Sequence, residues 1–198
     1  MNKPISQKPQ KIFLLRHAES IANEKGFIAS SYESQKGITL SSLGQIQAKK
    51  VAQFLKENHI KPYIFSSDFD RAYQTASIIS NELKSPLEKE PLLKERYFGT
   101  FDTKKSSYYD YIWQHDKKNI PLETVEPIHE VFHRMMQVIK KVQDYPLLEV
   151  LLVSHGDPLL ILEAGYQKKR LCEFKTLGDY KNAELRKLEE KTIKIFAP

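Results

Sequence analysis

The chain has 198 residues, of which 40% are hydrophobic and 11% aromatic, so it can bury a core and is not a disordered segment. Its net charge of +6 permits anionic partners, but its lysine clusters lack the interleaved aromatic residues of a nucleic-acid platform. The single cysteine excludes an internal disulfide, and no apolar run reaches the roughly 18 residues of a membrane span. We therefore expect a cytoplasmic, one-domain protein with no nucleic-acid or membrane partner. The sequence makes no prediction of oligomeric state.

The chain begins with a predicted leader and a short strand. Residues 1–10 hold two prolines and no apolar periodicity, which predicts a flexible leader ahead of a single domain over residues 11–198. An apolar run over 12–16 is too short for a helix and predicts a buried strand that ends in Arg16 and His17. Sheets of α/β proteins usually carry their chemistry at such strand ends, although this dipeptide alone is best explained as coincidence.

A long loop and a helix follow the first strand. Residues 18–40 are rich in Ser, Gly and Asn, which is typical of a segment that folds over a ligand. Ser41 or Ser42 caps a helix that ends near Asn58. The apolar residues of this helix keep approximate helical spacing: Leu43, Ile46, Val51, Phe54 and Leu55.

A second strand, turn and helix repeats this arrangement. A strand over 63–65 leads through oxygen-bearing residues into a helix over 69–83, and Arg71 falls in the first turn of that helix. Residues 87–93 include a third strand, and residues 95–107 are irregular. The second unit therefore also places an arginine where a strand gives way to a helix.

The remaining segments alternate helix and strand. They predict helices over 108–113, 126–143 and 159–165, a strand over 149–153 and edge strands within 183–195. The strand ends next to His155, and Pro158 takes the first position of the last helix. Strands that alternate with helices predict an α/β fold, a three-layer α/β/α sandwich with a mostly parallel central sheet.

One helix carries a pattern that is typical of zinc peptidases. His129 and His133 match H-E-x-x-H and are four residues apart, so they could share a metal. The apolar residues of the same helix define another face, which places both histidines on the flank that leads to solvent. We interpret the motif as a chance match, and we predict no metal and no cofactor.

Five charged or titratable side chains fall at strand ends, in the first turn of a helix or on a loop: Arg16, His17, Arg71, Glu95 and His155. Guanidinium is the group best shaped for phosphate oxygens, and imidazole can be a nucleophile near neutral pH. The set predicts an anion pocket that contains a nucleophile and a proton carrier.

Five stretches resemble, in order, the motifs of the histidine phosphatase superfamily, the phosphoglycerate mutase-like proteins. They are L-R-H-A-E-S at 15–20 with Asn23, L-S-S-L-G at 40–44, S-S-D-F-D-R-A-Y-Q-T-A at 66–76, L-K-E-R-Y-F-G at 93–99, and V-S-H-G at 153–156 preceded by Glu126 and Arg134. The resemblance covers residues 11–165. It implies the phosphoglycerate mutase-like fold and a site for phosphoryl transfer.

The resemblance implies a catalytic role for each of five residues. His17 would attack phosphorus and form a phosphohistidine, while Arg16, Arg71 and a protonated His155 would bind the phosphoryl oxygens. Glu95 would protonate the leaving oxygen and then take a proton from the hydrolytic water. Glu19, Glu90 and Asp102 are other carboxylates near the predicted site residues that could take this role.

Three further residues are candidates for substrate binding. Asn23 would add an amide donor, and Gly156 follows the second histidine of the site. Arg96 would contact substrate or form a surface ion pair worth about 1 kcal/mol or less.

The chain departs from the family pattern at two places. Ala18 replaces the usual glycine, which is tolerated if the backbone keeps a negative φ. The segment after Gly99 lacks the usual second glycine, so the predicted lid over about 96–125 is atypical. The interval from Glu95 to His155 is 60 residues, shorter than expected of the glycolytic mutases.

The short interval favours a phosphatase, because water can reach a less sheltered phosphoenzyme. The predicted partner is a small phosphorylated substrate or a phosphoprotein. The alternatives are a phosphoglycerate mutase-type phosphotransferase and a non-catalytic module that binds phosphorylated ligands.

Overall fold

A computed structural model of the chain describes residues 11–143, 149–189 and 193–198, and the predicted leader over 1–10 lies outside the described residues. The described strands are β1 (Lys11–Arg16), β2 (Tyr63–Ser66), β3 (Leu87–Lys89), β4 (Glu149–Ser154), β5 (Leu185–Lys187) and β6 (Ile193–Phe196). They form one mixed sheet in the order β3-β2-β4-β1-β5-β6. The C-terminal tail supplies β5 and the edge strand β6, as predicted.

The strands β3, β2, β4 and β1 run parallel, so their carboxyl ends meet at one edge of the sheet. Arg16 lies beside Ser154 in the register of β1 with β4, and Ser66 lies beside Val153 in the register of β2 with β4. The strand β5 continues the sheet antiparallel to β1, and β6 pairs antiparallel with β5 at the edge. The residues that follow β1, β2 and β4 are therefore close neighbours in space.

Helices cover both faces of the sheet. They are α1 (Ile21–Lys25), α2 (Ser42–Glu57), α3 (Asp70–Leu83), α4 (Tyr108–Lys117), α5 (Ile128–Gln143) and α6 (Gly156–Tyr166), with short 3₁₀ helices at Pro91–Leu93, Gly99–Phe101 and Leu171–Leu177. Successive strand residues face opposite sides, so Leu14 packs with α5 and α6 while Leu15 packs with α2 and α3. The predicted three-layer sandwich with a mostly parallel sheet is confirmed.

The buried face of α2 differs from the prediction. Leu43 and Ile46 are about half exposed, at 50% and 52%. The start of the helix instead turns Gly44 and Ala48 inward, and a Cβ on Gly44 would lie 1.9 Å from the carbonyl oxygen of Glu19. The chain passes too close at this point for a larger side chain, so small residues occupy the buried row.

Two helix positions also differ from the prediction. The predicted loop over 18–40 contains the short helix α1. Ser20 and Asn23 cap the N-terminus of this helix with a reciprocal capping box. The helix α6 begins directly after His155, so Pro158 takes its third position rather than its first. Proline is tolerated at this position because the N–H groups of the first helical turn have no partner within the helix, so the missing N–H of proline breaks no helical hydrogen bond.

The segment over 96–125 packs mainly on the first loop. A small hydrophobic cluster joins Ile28 to Phe98, Ile112 and Val125. Asp102 accepts hydrogen bonds from the serine side chains and backbone of the loop. Among the residues that the structure describes, no helix is long and apolar enough to cross a membrane.

Candidate active site

The parallel strands end at a cavity of about 250 Å³. We call inner end the group of lining residues nearest the strand ends: Arg16, His17, Arg71, Glu95 and Gly156. We call outer wall the aromatic and charged lining residues beyond them: Tyr109, Trp113, Asp157, Lys175 and Asp179.

The hydrogen bonds of His17 define its tautomer. The Nδ1 atom lies 2.8 Å from the carbonyl oxygen of Ala18, which can only accept, so Nδ1 carries the proton. The Nε2 atom accepts from the Nε–H of Arg71 at 3.1 Å. Burial, and then the charges of Arg71 and Arg16, lower the pKa of His17 well below its usual range. The imidazole is therefore neutral, with its lone pair on Nε2.

Backbone carbonyls orient the two arginines of the inner end. Arg71 donates from Nη2 to the carbonyl oxygen of Ala29 at 3.0 Å, and Arg16 donates from Nη1 to that of Tyr180 at 2.6 Å. Arg71 Nη2 also lies 3.7 Å from Oε2 of Glu95. Backbone carbonyls thus fix both guanidinium groups, and Glu95 is the carboxyl group that lies at ion-pair distance from Arg71.

A buried ion-pair cluster supports the carbonyl that holds Arg16. The hydroxyl of Tyr180 donates to Glu163, and Arg186 pairs with both Glu163 and Glu184. The guanidinium of Arg186 also lies over the Tyr180 ring at 3.8 Å. The sequence analysis missed these residues, which lie mostly beyond the stretch that carries the resemblance.

Glu95 combines burial with a cationic neighbour. Burial raises the pKa of Glu95 to about 7, although the charge of Arg71 opposes the rise. Its Oε1 accepts the backbone N–H of Arg96 at 3.0 Å, and its Oε2 lies 3.7 Å from Nδ1 of His155. The carboxyl group can therefore hold or release a proton near neutral pH.

The three alternative carboxylates, Glu19, Glu90 and Asp102, lie elsewhere. The hydroxyl of Ser41 donates to Glu19, Lys141 pairs with Glu90, and Asp102 is tied to the first loop. None of the three lines the cavity.

His155 lies behind the cavity surface and is fully buried. Its ring centroid is 5.1 Å from that of His17, and its Nε2 lies 3.0 Å from Oγ of Ser67. Burial, and then the charge of Arg71, lower the pKa of His155 well below its usual range. The structure thus holds a neutral imidazole where the resemblance implied a protonated one. A bound phosphate dianion would raise this pKa.

Three buried nitrogen atoms around the inner end lack a hydrogen-bond partner in the described part of the chain: Nε of Arg16, Nη1 of Arg71 and Nδ1 of His155. Buried polar atoms are nearly always paired, so such a group needs an explanation. Guanidinium groups can only donate, and a tetrahedral oxyanion offers several acceptors. The inner end is therefore built for an oxyanion.

Two of the three further candidates for substrate binding, Asn23 and Gly156, line the cavity, and Ala18 does not obstruct it. Asn23 accepts through Oδ1 from Ser20 and Asn182, which leaves its amino group for the cavity. A Cβ on Gly156 would be in ordinary contact with Arg16, 3.8 Å from its Nε. Ala18 keeps a negative φ and buries its methyl group in the core beside α2 and α3.

Arg96 does not line this cavity, so the catalytic site proposed below does not include its predicted contact with substrate. Its guanidinium forms a two-pronged pair with Asp116 at 2.6 and 2.8 Å and donates to the carbonyl oxygen of Glu126. The alternative prediction of an ion pair is confirmed, but its placement at the surface is wrong, because Arg96 is only 2% exposed. Its partner Asp116 lies 20 residues further along the chain, on a helix that sequence spacing does not connect with it.

Side-chain contacts assemble the outer wall. Trp113 donates from its indole N–H to Asp157 at 3.0 Å, and its ring stacks on Tyr109 with centroids 5.2 Å apart. The ammonium group of Lys175 lies 3.3 Å from the Trp113 ring centroid and pairs with Asp179. The aromatic run over 108–113 was the only sequence signal for this wall.

The H-E-x-x-H motif lies away from the cavity. His129 and His133 are exposed on α5, and His133 shares a hydrogen bond with Gln137. Among the described residues, no group of three or more His, Cys, Asp or Glu side chains could hold a metal ion. The placement of both histidines agrees with the helical periodicity of the sequence.

The chain matches the sequence profile of the histidine phosphatase superfamily (branch 1) over residues 12–194. It therefore belongs to this superfamily. A Hydrogenobacter thermophilus protein named "Putative phosphoserine phosphatase 2" is 32% identical over 158 residues, which are 76% of this chain and 75% of that protein.

Other relatives carry different names. Phosphoglycerate mutase 1 of Saccharomyces cerevisiae is 32% identical over 98 residues, 48% of this chain and 38% of that protein. The solved structure of mycobacterial glucosyl-3-phosphoglycerate phosphatase superposes with a TM-score of 0.74 at 25% identity, and covers 90% of this chain and 89% of that one. The relatives therefore include proteins named as phosphatases and proteins named as mutases.

Proposed function

We propose that this chain is a phosphatase that hydrolyses phosphomonoesters of small molecules through a phosphohistidine on His17, without a metal ion. The three unpartnered nitrogens around the inner end carry this proposal, because they surround a neutral imidazole whose lone pair is on Nε2. An anion acceptor and a nucleophile are the two requirements of this chemistry.

In the first step, Nε2 of His17 forms a bond to phosphorus as the bond from phosphorus to the ester oxygen breaks. Phosphoryl oxygens are better acceptors than imidazole for the Nε–H of Arg71, so binding of the substrate frees the Nε2 lone pair. Arg16 and Arg71 balance the charge on the oxygens. Protonated Glu95 gives its proton to the departing alkoxide.

In the second step, water attacks the phosphohistidine. The Glu95 carboxylate takes one proton from the water, the phosphorus–nitrogen bond breaks, and His17 returns to its neutral form. Glu95 is again protonated, so the cycle closes with one ester and one water consumed. Because the arginines supply the positive charge that magnesium supplies elsewhere, the scheme uses no metal.

The outer wall favours hydrolysis of small substrates over the mutase alternative. A mutase acting on phosphoglycerate must also bind a carboxylate and the second phosphate of a bisphosphate primer. The outer wall offers one cation, Lys175, beside the carboxylates of Asp157 and Asp179. This charge balance suits a neutral or zwitterionic leaving group, such as the serine of phosphoserine, better than a second anion.

A non-catalytic binding module is the second alternative. It would need the anion site, but neither an unprotonated Nε2 on His17 nor a carboxyl group with a pKa of about 7. Both features are typical of catalysis and would be unnecessary for binding alone.

The test compares the wild type with His17→Ala on generic phosphomonoesters and on phosphoserine, in the presence of a chelator. We expect phosphate release by the wild type and none above background by the variant. Equal release by both proteins would contradict the assignment of the nucleophile. Isomerisation of phosphoglycerate that depends on a bisphosphate primer, without net hydrolysis, would support the mutase alternative instead.

A further inference from the structure

Ser67, between β2 and α3, contacts the histidine that follows the neighbouring strand. Its Oγ lies 3.0 Å from Nε2 of His155, and both side chains are fully buried. The backbone N–H of Ser67 donates to the carbonyl oxygen of Val153 at 2.9 Å. The parallel pairing of β2 with β4 therefore fixes this contact.

Counting donors and acceptors shows which atom carries the proton in the contact between Ser67 Oγ and His155 Nε2. Ser67 Oγ already accepts the backbone N–H of Phe69 at 3.2 Å, and its own proton has His155 Nε2 as its acceptor among the described residues. The opposite assignment, in which Nε2–H donates, leaves the hydroxyl proton without an acceptor. It also leaves the buried Nδ1 lone pair without a donor among the described residues. The count therefore favours Nε2 without a proton and Nδ1 with one.

The two histidines therefore present different ring nitrogens to the site, one with a lone pair and the other with a proton. The carbonyl oxygen of Ala18 accepts from Nδ1 of His17 and leaves a lone pair on Nε2. The hydroxyl of Ser67 donates to Nε2 of His155 and leaves an N–H on the unpartnered Nδ1, on the side of Glu95. The hydrogen-bond partner of each imidazole, rather than the imidazole itself, sets the difference.

We propose that Ser67 is a positioning residue that holds His155 in its Nδ1–H tautomer, so that His155 donates a hydrogen bond toward the phosphoryl group. The catalytic part of this inference rests on the proposed phosphatase function, whereas the tautomer does not.

The tautomer can be measured on the wild-type protein, without substrate, by ¹⁵N NMR of the histidine side chains. The signals of His155 are identified by their loss in His155→Gln. We expect Nε2 of neutral His155 to be unprotonated and Nδ1 to be protonated. A proton on Nε2 in the neutral ring would overturn the proposal, whether or not the protein proves to be a phosphatase.

Variants at two adjacent serines separate positioning from loss of a buried hydroxyl. In Ser67→Ala, we expect mixed tautomers of His155 and a fall in kcat of about 10- to 100-fold, with KM changed by less than about threefold. The hydroxyl-retaining Ser67→Thr should recover most of the lost kcat. The control is Ser66→Ala, because Ser66 is equally buried and its hydroxyl donates at 2.8 Å to the backbone carbonyl of Ser67 rather than to a histidine.

Each outcome bears on one proposal. A Ser67→Ala protein that keeps the wild-type tautomer and kcat would overturn the role of Ser67. A wild-type protein that releases no phosphate from any ester, yet shows the expected tautomer, would contradict the phosphatase proposal and leave the assignment of the tautomer standing.

Discussion

The inner end and the outer wall of the cavity are built differently. Backbone carbonyl oxygens hold Arg16, His17 and Arg71 at the inner end. Arg16 is the last residue of β1 and His17 directly follows it. The outer wall is held by side chains from separate segments, as in the contacts of Trp113 with Asp157 and with Lys175. The sheet therefore positions the reacting groups, whereas exchangeable side-chain contacts shape the space for the leaving group.

The inner end and the outer wall also differ in whether their charged groups are already paired. The inner end presents buried donor nitrogens without close partners, whereas Lys175 in the outer wall already pairs with Asp179. An entering phosphate gains new hydrogen bonds at the inner end. A leaving group must instead compete with existing contacts, so we expect changes in the outer wall to alter selectivity more than rate.

The largest effect is expected for Glu95→Gln. It should lower kcat/KM for alkyl phosphates by about 10²- to 10⁴-fold, because kcat/KM reports the first step, in which the departing alkoxide needs a proton. The loss should be smaller for p-nitrophenyl phosphate, whose leaving group departs as an anion. The measurement is steady-state phosphate release with both substrates, and the control is Glu90→Gln, a buried glutamate paired with Lys141. Equal losses on both substrates would contradict a role as general acid.

The dependence of kcat/KM on pH also tests Glu95, and the raised pKa of this residue fixes the direction of the expected change. Because the pKa of Glu95 is raised to about 7 and the acid form donates the proton, kcat/KM for alkyl phosphates should fall as the pH rises above about 7. His17 is already neutral on the acid side, since its pKa is lowered. In Glu95→Gln the alkaline decline should disappear, and a profile unchanged by the substitution would contradict the assignment.

A somewhat smaller effect is expected for Arg71→Lys. The variant keeps the positive charge but loses the planar donor set, so kcat/KM should fall about 10²- to 10³-fold. The fall should be similar for every leaving group, because Arg71 belongs to the inner end. Kinetics on several esters provide the measurement, with the exposed Arg170→Lys as the control. A fall confined to one leaving group would break the distinction between the two regions.

The smallest effect is expected for Lys175→Met in the outer wall. Methionine keeps contact with Trp113 but removes the cation, so kcat/KM for p-nitrophenyl phosphate should change by less than about threefold. For phosphoserine, whose leaving group carries a carboxylate, the loss should reach about tenfold at most. The exposed Lys169→Met is the matched control. A uniform loss on both substrates would place Lys175 among the reacting groups instead.

The inner end could be predicted from the sequence because local patterns fix it. Arg16, His17 and His155 follow apolar runs, and parallel strands necessarily bring such ends together. The exposure of Leu43 and Ile46 could not be predicted, because it depends on how closely the backbone of Glu19 passes Gly44.

The outer wall and the tautomers of the two histidines could not be predicted from the sequence either. Lys175 lies beyond the stretch that resembles the superfamily motifs, and its contact with Trp113 joins segments 62 residues apart in the sequence. The tautomers of the two histidines depend on the oxygen that each ring nitrogen meets in space. Motifs specify which residues are present, whereas these properties depend on contacts made after folding.

The central claim is that His17 carries the phosphoryl group between substrate and water. The most direct measurement is to mix the protein with a phosphomonoester, quench in alkali, in which phosphohistidine survives, and identify the modified peptide by mass spectrometry. We predict one phosphoryl group per chain on His17, formed before phosphate is released and absent from His17→Ala. Phosphate release at the wild-type rate with no phosphoryl group on His17 would contradict the account.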